Sequence, residues 1–225
     1  MTYGKVVKGT FLARPNRFIA LVEAGGQVET CHVKNTGRCR ELLVQGAAVY
    51  LEESGNPKRK TRFDLIAVEK GERLINMDSQ APNKAAAEYL PALLPGLTLL
   101  RPETVFGSSR FDFYAEAAGE KWFVEVKGVT LEEDGVVLFP DAPTERGVKH
   151  LHELCAALEE GYRAMALFIV QMADVAYFTP NARTHPAFAQ ALREAQAKGV
   201  ALHAVDCLVT PSSLTARRPV EIRLP

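Results

Sequence analysis

The chain has 225 residues, 47% of them hydrophobic and 24% charged, and its 27 Lys+Arg balance 27 Asp+Glu. These values exclude disordered and fibrous classes. A net charge of zero excludes a histone-like nucleic-acid coat but leaves room for local basic patches. No run reaches the roughly 18 apolar residues of a membrane span, and Met1–Lys5 leads into no apolar leader segment. The expected location is therefore the cytoplasm, with no membrane partner. Cys31, Cys39, Cys155 and Cys207 are scattered and form no Cys-x-x-Cys, so they read as reduced thiols. Cys31, His32 and Cys39 lack the second ligand pair of a zinc site.

Residues 1–80 carry 13 Lys+Arg against 9 Asp+Glu, and residues 81–225 carry 14 against 18. The element pattern changes at the same place, which predicts two domains, 1–80 and 81–225. Short strands are predicted in the first at Lys8–Ala13, Phe18–Glu23, Glu29–His32, Ala47–Glu53, Leu65–Glu69 and Arg73–Asn76. Gly and Pro turns such as Pro15-Asn16, Gly25-Gly26 and Ser54-Gly55-Asn56-Pro57 separate them. Many short strands with such turns suggest a small closed barrel of the OB type. The second domain alternates. A helix is predicted at Asn83–Leu94, then strands at Thr98–Pro102, Arg110–Glu116 and Lys121–Lys127. A helix over Thr144–Glu160 buries Val148, Leu151, Leu154, Cys155 and Leu158. An apolar strand at Arg163–Gln171, a helix at His185–Lys198 stopped by Gly199, and a strand at Val200–Val205 complete an α/β layer with a mixed sheet.

The chemistry concentrates in the hairpin Arg110–Lys127, whose strands flank the turn Ala117-Ala118-Gly119-Glu120. A loop centred between Ala118 and Gly119 sets Tyr114 opposite Phe123, Asp112 opposite Glu125 and Arg110 opposite Lys127, all on one face. Phe111, Phe113, Ala115, Trp122, Val124 and Val126 make the other, wholly apolar face. Two facing carboxylates repel unless compensated. One compensation is a hard divalent cation, Mg²⁺ or Mn²⁺, with Lys127 orienting water or stabilising phosphate charge. The other is a solvated quartet in which Arg110 and Lys127 neutralise Asp112 and Glu125.

Asp112, Glu125-Val126-Lys127 and the α-β-β-β-α-β order resemble the P-D-(D/E)-x-K nuclease superfamily, with Phe111 where the motif has Pro. His32–Leu43, Ser109–Phe113, Phe123–Lys127 and Phe139–Gly147 resemble the sugar fermentation stimulation protein A family over nearly the whole chain. That resemblance implies an N-terminal OB-like barrel, a restriction-endonuclease-like α/β domain and a DNA partner. In these terms Asp112 and Glu125 would hold Mg²⁺ or Mn²⁺, with the Val126 carbonyl as a further ligand, and Lys127 would position the attacking water. Glu88, on the helix before the hairpin, would approach the metal or else face solvent. Gln171 would lie near the metal-bound water or else cap its strand.

Basic side chains supply candidate DNA contacts. Lys58, Arg59, Lys60 and Arg62 form the densest run, in an expected loop between barrel strands. Asn35, Thr36 and Arg38 form a second polar loop, a pattern that tight-turn chemistry also explains. Arg110 borders the hairpin, and Arg146 and Lys149 lie on the polar side of the following helix, whose start offers free amides to a phosphate. These readings predict a metal-dependent DNA nuclease. The alternative, whose link to sugar (maltose) metabolism is implied by the family resemblance alone, is a non-catalytic DNA-binding regulator on a vestigial nuclease fold. The motifs leave strandedness and oligomeric state open.

Overall fold

In a computed structural model that describes residues 1–35 and 37–224, six strands precede the first helix. They are β1 (Val6–Asn16), β2 (Ile19–Ala24), β3 (Gln27–Val33), β4 (Ala48–Glu53), β5 (Phe63–Lys70) and β6 (Arg73–Asn76). Antiparallel neighbours run β3-β2-β1-β4-β5, and a parallel pairing of Cys31–Val33 with Phe63–Leu65 closes the ring. The first five strands thus form a closed OB-like barrel, and β6 extends the far half of β5. Alternation drives the closure, because Ala20, Val22, Cys31, Val33, Val49 and Leu51 point inward and are buried. Gly9 is required where β1 crosses β2. A Cβ there would stand 2.6 Å from Val22 Cγ1 and 2.7 Å from the Glu23 carbonyl.

The rest of the chain contains α1 (Ala81–Leu93), β7 (Leu97–Phe106), β8 (Ser109–Ala117), β9 (Glu120–Val129), β10 (Leu131–Glu133), β11 (Val136–Phe139) and α2 (Glu145–Glu159). It continues with β12 (Arg163–Val170), β13 (Tyr177–Pro180), α3 (Pro186–Lys198), β14 (Ala201–Thr210) and β15 (Ser213–Pro219). The main sheet has the order β7-β8-β9-β12-β14-β15. Its three central strands are parallel and its outer pairs antiparallel. β12 is apolar throughout because both its faces are covered. Met165, Leu167 and Ile169 pack with Ala85, Ala86 and Leu90 of α1. Ala166 and Phe168 pack with Leu151 and Leu154 of α2 and Phe188 of α3.

Local signals explain the helix ends. Pro82 sits in the first turn of α1, where its missing N–H costs nothing. Thr144 caps α2, its hydroxyl accepting from Gly147 N at 3.1 Å. Gly199 ends α3 in the left-handed conformation, φ 104°.

The α/β order from sequence lacks four strands. β10, β11 and β13 span three or four residues each and form a separate small sheet. β15 is polar, carries Arg217-Arg218 and ends on Pro219, as suits an edge strand. No helix is long and apolar enough to cross a membrane. The four cysteines are unpaired and buried.

The barrel is fastened to the sheet by polar bonds. Gln171, just past β12, accepts from Asn76 N at 2.9 Å and donates its amide to Asn76 Oδ1 at 2.8 Å and the Asp78 carbonyl at 3.0 Å. Lys34, at the end of β3, lies between Glu52, Asp64 and Asp78 at 3.3–3.5 Å. Asp78 Oδ1 in turn accepts from Gln80 N at 2.9 Å, directly before α1.

Candidate metal centre and nucleic-acid surface

The β8–β9 hairpin turns at Ala118 and Gly119, both at positive φ, as a two-residue loop between twisted strands requires. Its register is the expected one from the turn to Tyr114 opposite Phe123 and Phe113 opposite Val124, but the expected pairs Asp112–Glu125 and Arg110–Lys127 are not part of the ladder. The ladder ends there. One step further, the Val126 N–H donates to Asp112 Oδ2 at 2.8 Å. On the other side of β8, Glu103 of β7 has φ 53° and falls between the residues paired with Phe111 and Phe113. The strands are kinked at the level of Asp112.

The kink corrects one expectation about faces. Phe113, Val124 and Val126 pack on the α1 side, whereas Phe111 packs on the α2 side against Phe123, their ring centroids 5.3 Å apart. Strict alternation along β8 fails at Asp112, because that side chain replaces a ladder bond.

Two elements hold Asp112. Asn83 Nδ2, in the first turn of α1, donates to Oδ1 at 2.8 Å, and Val126 N donates to Oδ2. Burial, reinforced by the charge of Glu125, pushes the Asp112 carboxyl above its ordinary pKa against these bonds and Lys127. Glu125 is 3% exposed. Its Oε1 accepts from Lys127 Nζ and from His150 Nδ1 of α2, both in short contacts. Burial raises the Glu125 pKa, but the His150 and Lys127 contacts outweigh it and hold the carboxyl below the ordinary range. His150 Nε2 accepts from Arg146 Nε at 3.3 Å, which leaves the ring proton on Nδ1, facing Glu125.

The remaining oxygen of this pair decides what fits. Glu125 Oε2 is buried without a hydrogen-bond partner. An unpartnered, ionised carboxylate oxygen beside a second desolvated carboxylate is costly unless a cation answers both. Among the described residues, no group of three or more His, Cys, Asp or Glu could hold a metal by itself. The residues that could hold an ion here are the two carboxylates, with the Val126 carbonyl in the chain between Glu125 and Lys127. Such a set suits Mg²⁺ or Mn²⁺, which keep several waters and take one or two carboxylates.

The other sequence candidates lie as follows. Glu88 pairs with the Met1 amino group at 2.6 Å, is 57% exposed, and does not join Asp112. Gln171 belongs to the barrel–sheet joint, and a Cβ on Gly128 would stand 2.6 Å from its Oε1. Arg110 pairs with Glu103 at 3.4 Å, away from the carboxylate pair. Lys149 Nζ donates to the Ser108 carbonyl at 3.3 Å. In the basic loop, Arg59 forks onto Asp64 at 2.5 and 2.8 Å, and Arg62 pairs with Glu53 at 2.7 Å. Lys58 and Lys60 are exposed. Asn35 braces a turn, donating to the Met77 carbonyl at 3.0 Å and accepting from Gly37 N at 2.8 Å, and Arg38 is exposed. Thr36 lies outside the described residues.

Two site residues are not among the sequence candidates for the centre, although His150 lies beside Arg146 and Lys149 on their helix and ranks below them as a contact to phosphate or site. His150 stands among the buried positions of α2, with Gly147, Leu151 and Leu154 at helical spacing. A polar ring on an apolar stripe was the available signal. Asn83 left no signal beyond an amide in a first helical turn.

The chain is similar to known proteins along its whole length. Residues 12–77 match the SfsA N-terminal OB domain, and residues 80–213 match the sugar fermentation stimulation protein RE domain. The sugar fermentation stimulation protein homolog of Ruminiclostridium cellulolyticum is 54% identical over 226 residues, covering 100% of both chains. That of Desulfitobacterium hafniense strain Y51 is 57% identical over 225 residues, covering 100% of this chain and 99% of its own. The solved structure of Pyrococcus furiosus SfsA in complex with Ca²⁺ superposes with a TM-score of 0.88 at 29% identity, covering 99% of this chain and 98% of that one.

Proposed function

The chain belongs to the sugar fermentation stimulation protein family, and from that premise we propose that it is a DNA-acting phosphodiesterase dependent on a divalent cation. The carrying observation is the orphaned, buried Oε2 of Glu125 beside desolvated Asp112. Asp112, Glu125 and the Val126 carbonyl would hold Mg²⁺ or Mn²⁺. That Pyrococcus furiosus SfsA was solved in complex with Ca²⁺ supports a hard divalent ion as a ligand of this fold.

Each neighbouring residue has a task in this reading. Asn83 and the Val126 N–H fix the orientation of Asp112. His150, its proton on Nδ1, keeps Glu125 ionised and fixed, and Arg146 sets the tautomer from the other side. Lys127 is 16% exposed at its side chain. When substrate enters, its ammonium can turn from Glu125 to a phosphate oxygen or an attacking water. A bound divalent cation would supply Lewis acidity and make water acidic near neutral pH. The barrel and the start of α2 would hold the nucleic-acid backbone through cations and free amides.

The test is a cleavage assay with Mg²⁺ and Mn²⁺ on single-stranded DNA, duplex DNA and RNA, run beside Asp112→Ala. Metal-dependent products from the wild type alone support the reading. Equal cleavage by Asp112→Ala in clean protein refutes it. Salt-sensitive DNA binding with no cleavage in either metal would leave a DNA-binding regulator.

A further inference from the structure

Arg59 and Arg62 of the basic loop are spent on carboxylates, and a group of four arginines gathers elsewhere on the barrel. Arg14 of β1 and Arg17 of the β1–β2 turn meet Arg38 and Arg40, which follow β3, around a concave pocket of about 440 Å³. The Arg14 guanidinium braces the site. Its Nη atoms donate to the carbonyls of Arg38, Arg17 and Asn35 at 2.6–2.8 Å, and its Nε is buried without a partner. Arg17, Arg38 and Arg40 are exposed. No ion pair joins any of the four to a carboxylate among the described residues. Glu41 and Asp141 are the acidic side chains of the neighbourhood, both influencing the Cys39 thiol, and they leave the four guanidiniums in excess. Phe18 lies beside the pocket, 51% exposed, with the Arg17 guanidinium 6.0 Å from its ring centroid.

A second cleft, of about 370 Å³, shares Gly37 and Ala142 with this pocket. Its far wall includes Pro82 and Gly128. Pro82 and Gly128 belong to α1 and β9, the two elements that also carry Asn83 and Lys127, so the second cleft leads from the arginines to the elements that hold the carboxylate pair.

Planar guanidinium forks match phosphate oxygens, and an exposed aromatic ring stacks on bases of any sequence. We propose that the four-arginine pocket grips the phosphate backbone of a nucleic-acid strand, with Phe18 stacking on a base, and leads the strand past Gly37 and Ala142 into the second cleft. This rests on the nucleic-acid reading above and assigns it a route through Arg14, Arg17, Arg38 and Arg40.

Fluorescence anisotropy with a labelled DNA oligonucleotide in EDTA, across a salt series, tests the pocket without cleavage. The variant is Arg17→Ala with Arg40→Ala, both exposed positions, its folding checked by an unchanged melting temperature. The control removes two cations remote from the path, Lys121→Ala with Lys198→Ala. The pocket variant should bind about tenfold more weakly or worse, and its slope of log affinity against log salt should flatten by about 1–2. The control should stay within about twofold, since its charges meet no phosphate. Wild-type affinity and slope in the pocket variant would overturn the route and leave the nucleic-acid reading standing. A wild type that binds neither DNA nor RNA would overturn both.

Discussion

Asp64→Asn tests the polar joint that positions the site. Asp64 of β5 is 3% exposed and accepts from Arg59 at 2.5 and 2.8 Å, with Lys34 Nζ at 3.3 Å and His32 Nδ1 at 3.0 Å. Burial alone would raise its pKa, but Arg59, Lys34 and His32 outweigh that and bring it to about 2, from an ordinary 3.8. The folded pKa lies below the unfolded one. The carboxylate's contribution is therefore complete above about pH 4 and is lost as the pH falls towards 2. The gap corresponds to about 2–3 kcal/mol at neutral pH. For a chain of this length that is about 5–10 °C in melting temperature. Asn has nearly the shape of the protonated acid, so the variant should lack this increment at every pH. Urea unfolding of both proteins between pH 7 and pH 2.5 reads it directly. The difference should be largest at pH 7 and shrink below pH 4. A difference that stays constant across the range, or is absent at pH 7, would refute the reasoning.

Three further outcomes follow from single contacts. Lys127→Ala should keep DNA binding while cleavage falls by about a hundredfold or more, measured side by side on one oligonucleotide. Gly128→Ala puts a methyl 2.6 Å from Gln171 Oε1 and 2.7 Å from Pro82 Cγ. With Gln171 pinned to Asn76 and Asp78, the change should cost about 1–3 kcal/mol in chemical denaturation. Thr144→Ala removes the α2 cap and should cost about 1 kcal/mol in the same measurement.

The sequence announced the closed barrel, the mixed sheet and the hairpin register, because alternation and turn residues are local. Ala118-Gly119 can turn only one way between twisted strands, and that sets Tyr114 against Phe123. Features that depend on distant partners were hidden. The reversal of Phe111 arises where a side chain, Asp112, takes the Val126 N–H and β7 kinks at Glu103. His150 could be seen as a polar ring on an apolar stripe, but its partner, Glu125, lies 25 residues away. The run Lys58–Arg62 drew attention by density, yet Asp64 and Glu53 occupy Arg59 and Arg62. The four pocket arginines come from two stretches, Arg14/Arg17 and Arg38/Arg40, that only barrel closure brings together. β10, β11 and β13 are too short to carry a periodicity.

Asp112 and Glu125 are proposed to hold one divalent cation through the oxygen that nothing else satisfies. Calorimetric titration of Mn²⁺ into the wild type and into Asp112→Asn measures it most directly, since the Asn can keep both neighbouring hydrogen bonds if Asn83 turns its amide. One ion should bind per wild-type chain, and the variant should lose that site. Equal Mn²⁺ uptake by both proteins, or none by the wild type, would contradict the account.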